Sequence, residues 1–193
     1  MKREVAWEWV QGAGLEHCAI VSSPGGVEMT GVVVADWEGR TLAVHYHLQC
    51  DAGWRLVRAL VRAGHGGERS ERAIEQASPG LWRIDGADAP ELSGCEDIDL
   101  MATPLTNTLP VKRLELAPGQ PREFDVAWVR LPDLRVLRAR QQYTRLDTDA
   151  GAARQVRYRS VDSGFTADLA LDSDGLVIDY PPHWTRIGNR SRD

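Results

Sequence analysis

The stretch 27-VEMTGVVVADWEGRTLAVHYHLQC-50 carries the fold assignment. Apolar and polar residues tend to alternate on either side of Glu38-Gly39. A period of two sends successive side chains to opposite faces, which is strand behaviour, and a glycine-containing pair between two such runs signals a turn. The pattern recurs in 123-EFDVAWVRL-131, 134-LRVLRARQQYTRL-146 and 153-ARQVRYRSV-161. Pro24-Gly25-Gly26, Gly66-Gly67, Pro79-Gly80, Pro118-Gly119 and Asp174-Gly175 punctuate the chain regularly. Strands roughly ten residues apart predict an all-β antiparallel sheet, barrel or sandwich.

Two segments read differently. In 54-WRLVRALVRAGH-65 a helical stripe (Leu56, Val57, Leu60, Val61) and a strand alternation are both present, and periodicity alone leaves the choice open. In 103-TPLTNTLPVKRLEL-116, Thr103 and Pro104 form a good N-cap and first-turn pair, which predicts one short helix. Pro110 is expected to end or bend it after about two turns.

The 193 residues suit one domain, 1–187, with 188-GNRSRD-193 as a C-terminal tail. A net charge of −5 argues against a general nucleic-acid binder. No apolar run approaches the ~18 residues of a membrane span, and Glu4 and Glu8 interrupt any export signal near the N-terminus. Three scattered cysteines, Cys18, Cys50 and Cys95, make no disulfide framework or zinc knuckle and fit a cytoplasmic protein. Seven Trp against two Phe is unusual. Tryptophan suits half-wet pockets as well as cores.

Carboxylates gather in 162-DSGFTADLALDSDGLVIDYP-181. An EF-hand alignment on Asp172, Asp174 and Gly175 puts Ala170 and Pro181 at ligand positions, and Asp147-x-Asp149 has Tyr158 where its closing acid belongs. His45 and His47 share a strand face, but no third histidine joins them in sequence, so solvated imidazoles are the better reading than a metal. No nucleophile elbow, phosphate loop or dinucleotide fingerprint is present, and no cofactor is implied. Turning the chain at Asp162-Ser163-Gly164 with apolar faces kept together sets Tyr158 opposite Ala167 and Val156 opposite Leu169. Arg157 then faces Asp168, and Arg159 faces Thr166. Asp162, Asp172 and Asp174 read as turn residues. Asp179 is left with a position that depends on the turn at Gly175. An enzymatic alternative would use Arg157, Asp168 and Asp179 in the manner of a glycosidase.

The chain resembles the glycolipid-binding family, bacterial proteins formerly filed as a domain of unknown function. The matching pieces are 15-LEHC-18, Cys50-Asp51 with Trp54, 91-ELSGCEDIDL-100, 103-TPLTNTLPVKRLEL-116, 127-AWVRLPDL-134, 142-QYTRL-146 and 158-YRSVDSGFTADLALDSDGLVIDYP-181 with Trp184. His45 and His47 belong to none of these, and Pro182 departs from an expected glycine. The resemblance implies a spiral β-roll, a many-stranded antiparallel sheet wrapped around one α-helix at about 103–114, with residues 54–62 as strand and the protein a homodimer. It also implies a non-enzymatic carrier or sensor of a glycolipid or other amphiphile. Candidate lining residues are Trp54, Trp128 and Tyr143, with Thr106 and Asn107 on the helix. Arg138 and Arg140 share one strand face and are candidates for an anionic or sugar headgroup. A third reading is a dimeric module that binds another protein.

Overall fold

The computed structural model describes residues 2–146 and 154–187. The Asp147/Asp149 pair and the 188–193 tail lie outside the described residues. Residues 27–50 form the expected hairpin. Strands β3 (Gly26–Trp37) and β4 (Arg40–Cys50) are antiparallel, with Trp37 opposite Arg40 and Val27 opposite Cys50. Glu38 and Gly39 have φ of 52° and 76°, the two positive values that a type I′ two-residue turn needs.

Among the described residues, fifteen strands make one sheet. From mid-sheet, β1 (Lys2–Trp9), β2 (Gly14–Ser23), β3, β4, β5 (Leu56–His65), β6 (Glu68–Ser78), β7 (Leu81–Ile84) and β8 (Ala87–Asp88) pair in sequence order. The ambiguous 54–62 segment is therefore mostly strand. The other edge starts with β9 (Asp97–Leu100), followed inward by β10 (Pro121–Val129), β11 (Val136–Leu146), β12 (Arg154–Ser160), β13 (Thr166–Leu171), β14 (Val177–Tyr180) and β15 (Trp184–Arg186). β15 pairs with β1, so the first and last strands meet in the middle. The sheet is mixed rather than wholly antiparallel, because β9 runs parallel to β10.

This order forces the sheet to roll. Laid flat, fifteen strands would span roughly 65–70 Å. Yet the outermost strands β8 and β9 are consecutive in the chain, joined only through residues 89–96. A link of that length reaches at most ~30 Å. The edges must therefore curl toward each other. The link seals the seam without closing a barrel: Gly94 N–H donates to Gly80 O at 3.0 Å, and Arg138 donates to Ser93 O at 3.0 Å.

The helical segment fills the roll. Every residue from Ala102 to Val111 is buried. Thr103 Oγ1 accepts from Leu105 N–H at 2.9 Å, but the N-cap positions fall later than expected, at Pro104 for the 3₁₀ turn and at Asn107 for the helix, neither with a side-chain capping bond. A 3₁₀ turn, Leu105–Asn107, then leads into helix α1, Thr108–Arg113. Pro110 sits in the first turn of α1 and does not end it, contrary to expectation. Its missing N–H falls among donors that have no intrahelical partner in any case. Apolar clusters flank the segment: one holds Trp7, Ile20, Met29, Leu48 and Ile74, the other Val156, Leu169, Val177 and Tyr143.

The aspartate-rich stretch folds in the register that apolar matching predicts, with Tyr158 opposite Ala167, Val156 opposite Leu169, Arg157 opposite Asp168 and Arg159 opposite Thr166. Asp162 accepts from Arg140 N–H at 2.9 Å. Asp172 Oδ1 accepts from Asp174 and Leu176 N–H at 2.9 and 3.0 Å, and Gly175 takes the left-handed φ of 76°. Asp172 Oδ2 also receives Arg3 at 2.7 Å and Arg186 at 2.6 Å, tying this turn to β1 and β15. A bulge at Ala170/Leu171 sets Asp179 opposite Ala170.

Candidate binding cavity

Strand ends gather at one end of the roll. The last residues of β1, β3, β9 and β14 (Trp9, Trp37, Leu100, Tyr180), the penultimate Trp128 of β10 and the first of β15 (Trp184) surround a cavity of about 300 Å³. Trp9 is the hub of one wall. Its ring centroid lies 5.4 Å from Trp37 and 5.9 Å from Trp184. Trp128, Tyr158 and Tyr180 contribute further aromatic surface, with the two tyrosine rings 5.9 Å apart in an edge-to-face contact. Four of the seven tryptophans thus line this one space. At the rim are exposed Gln11 and Met101 and half-buried His183, whose Nδ1 lies 2.7 Å from Gln11 Oε1. Partial burial holds the imidazole pKa below its ordinary value, which favours the neutral ring.

Polar groups converge from β9 and the helical segment. Asp99 Oδ2 accepts from Gln141 Nε2 at 2.6 Å, and Oδ1 accepts from the Thr106 hydroxyl at 3.1 Å. Thr106 Oγ1 in turn accepts from Leu100 N–H at 3.2 Å. Withdrawal from water raises the Asp99 pKa, with the two neutral donors opposing the shift. Asn107 Oδ1 accepts from the Tyr143 hydroxyl at 2.7 Å. Thr103 borders the space and donates to Glu16 Oε1 at 2.6 Å; Tyr46 donates to the same oxygen at 2.5 Å. Glu16 lies in the cross-strand row below the Trp9 wall, between Trp7 and Val33, and is 1% exposed. Burial pushes its pKa up to about 8. Its Oε2 is buried without a hydrogen-bond partner among the described residues.

The residues singled out from the sequence fall in three places. Trp128 and Asn107 line the cavity. Thr106 and Tyr143 stand behind it and hold Asp99 and Asn107 respectively. Trp54 and the arginine pair do not line it. Trp54 occupies a turn at φ 63° with the Lys112 ammonium 5.3 Å from its ring, while Arg138 and Arg140 are half-exposed and both bind Asp125. Arg157 and Asp168 form a bidentate ion pair at 2.7 and 2.9 Å on the outer face. Asp179 is two residues along from the position opposite Asp168, and none of these three lines the cavity. His17, His45 and His47 line a shallow outer groove across β2, β3, β4 and β5, and no metal-binding cluster occurs among the described residues. The three cysteines are free and buried, and burial pushes the Cys18, Cys50 and Cys95 thiols up to about 12, 12 and 11.

Asp99, Trp9, Trp37 and Trp184 were not singled out from sequence as lining residues. They come from four strands, and only the roll brings them together. The one local signal was the tryptophan excess itself.

No curated protein matches the chain. Among solved structures, a DUF1089 family protein from Pseudomonas aeruginosa is similar at 32% identity and a TM-score of 0.79, over 89% of this chain and 92% of that one. A beta-barrel-like protein of the domain of unknown function DUF1849 from Brucella abortus shares the fold at 9% identity and a TM-score of 0.53, over 96% of this chain and 93% of that one. A family model described as Putative glycolipid-binding matches residues 4–186, and the chain belongs to that family.

Proposed function

We propose that the tryptophan-walled cavity binds an amphiphile of glycolipid type, and that the protein acts as a non-enzymatic carrier or sensor. The observation that carries this reading is the convergence of four tryptophans, two tyrosines and one carboxyl on a single space at the end of the roll. A sugar ring has an apolar C–H face and a polar rim. Aromatic faces suit the first, and Asp99 and Asn107 suit the second. The volume of about 300 Å³ lies at the low end for a small-molecule site. It accommodates a headgroup rather than a whole lipid, so the acyl chain would leave across the rim, where Val10 and Met101 are exposed.

Intrinsic fluorescence tests this directly. Titration with octyl glucoside below its micellar concentration should give a saturable change in tryptophan emission. Trp128→Ala should weaken the affinity by about tenfold, in line with loss of one aromatic wall contact of ~1 kcal/mol or more. A linear, unsaturable response, unchanged by the substitution, would refute the reading.

We further propose that the chain is one domain over residues 1–187, that it pairs with a second copy of itself, and that it is cytoplasmic. Exposed Leu15 and Val34, opposite each other on the outer face of β2 and β3, support a self-contact. Free, buried cysteines are in keeping with a reducing compartment. No helix among the described residues is long and apolar enough to cross a membrane.

A further inference from the structure

We propose that the headgroup this cavity selects carries an ammonium group, as an amino sugar does, and that Asp99 is its counter-ion. The inference rests on reading the cavity as an amphiphile site and adds the charge of the ligand.

On β9, Asp97 and Asp99 lie on the same face, separated by Ile98. Asp97 is 1% exposed and has its cation: Arg113 reaches it at 3.2 Å through Nε and 2.6 Å through Nη2. Asp99 has none. Its partners, Gln141 and Thr106, are neutral, and no lysine or arginine occurs among the residues lining the cavity. Each carboxylate oxygen accepts one hydrogen bond and keeps a second lone pair free for a ligand. An ionised carboxyl withdrawn from water without a cation is costly, and burial accordingly raises the Asp99 pKa. An arriving ammonium would restore the ion pair, and the faces of Trp9, Trp184 and Trp128 would add cation–π attraction. A phosphate, sulfate or carboxylate headgroup would meet the opposite field. A neutral sugar would bind but leave the acid unmatched.

The test is calorimetric titration of octyl glucoside against its 2-amino-2-deoxy counterpart, at pH 5 to 7.5, on the wild type and on Asp99→Asn. The expected result is that at pH 7 the amino compound binds the wild type about tenfold more tightly or better, and that the two bind Asp99→Asn equally. The other titratable groups lining this space are Tyr158, Tyr180 and His183, with Asp97, Tyr143 and Glu16 behind its wall and Glu16 common to both proteins. Arg113 pairs with Asp97, burial raises all three tyrosines, and His183 is common to both proteins, so the difference between them isolates Asp99. Binding of the glucoside with no preference for the amine, or a preference that survives Asp99→Asn, would overturn the inference and leave the amphiphile site standing. Failure of both compounds to bind would instead remove the amphiphile reading. The comparison within the wild type decides the matter even if Asp99→Asn folds poorly.

Discussion

Glu16 shows how a single residue sets chemistry that strand patterning does not announce. It shares a strand face with Cys18 and Ile20, which are fully buried, so the chain places a carboxyl in the apolar row. Two hydroxyl donors, from Tyr46 and Thr103, only partly offset its desolvation. A carboxyl whose pKa is about 8 when folded, against 4.5 for the ordinary group, favours the folded state fully below pH 4.5. That contribution fades as pH rises toward 8. The slope is ~1.4 kcal/mol per pH unit over that window. Denaturant unfolding at pH 5 and pH 8.5 should therefore show a loss of a few kcal/mol in the wild type, and Glu16→Gln should flatten that loss. An unchanged pH slope in the variant would remove Glu16 from the account. Gly31 is a second case. It faces Tyr46 across β3 and β4, and a Cβ there would stand 2.1 Å from the ring. Gly31→Ala should cost about 1–3 kcal/mol by overpacking, read as a fall in unfolding midpoint, and should displace the Tyr46 hydroxyl from Glu16.

At the scale of elements, strand β9 and helix α1 are locked by one ion pair. Arg113 has a side chain 7% exposed and bridges Glu96 at 3.0 Å and Asp97 at 2.6 Å. Removing the cation leaves a buried carboxylate alone, which costs roughly 3–5 kcal/mol. Arg113→Ala should destabilise by that amount. Substituting Arg113→Ala and Asp97→Ala together should recover part of it, since neither charge is then stranded. Additive losses would show that the pair does not act as a unit. The strands and the existence of one short helical segment were legible in the sequence because their signals are local: alternation, paired turn glycines, and Thr103 ahead of Pro104. Pro110 misled because proline is tolerated in a first turn, and the preceding 3₁₀ turn moved that first turn three residues along. The parallel pairing of β9 was invisible, since a four-residue strand carries too little pattern to reveal its direction.

For the whole molecule, the roll follows from two facts of order: β15 pairs with β1, and a short link joins the two edges. Neither can be read from periodicity, because both are long-range. The cavity has the same character. Trp9 and Trp184 lie opposite each other in the sheet although they come from the two ends of the chain. A sequence reading could therefore count the tryptophans and single out Trp128 and Asn107, but it had no means of grouping the wall. The arginine pair drew attention because two guanidinium groups share a strand face, yet Asp125 on the neighbouring strand already engages both and lowers its own pKa in doing so. The central claim is that this end of the roll holds an amphiphile. It is tested most directly by native mass spectrometry of the protein purified gently from cells. A bound species of lipid mass, released on denaturation and depleted in Trp128→Ala, is the predicted result. A spectrum showing only the bare chain, in wild type and variant alike, would contradict it.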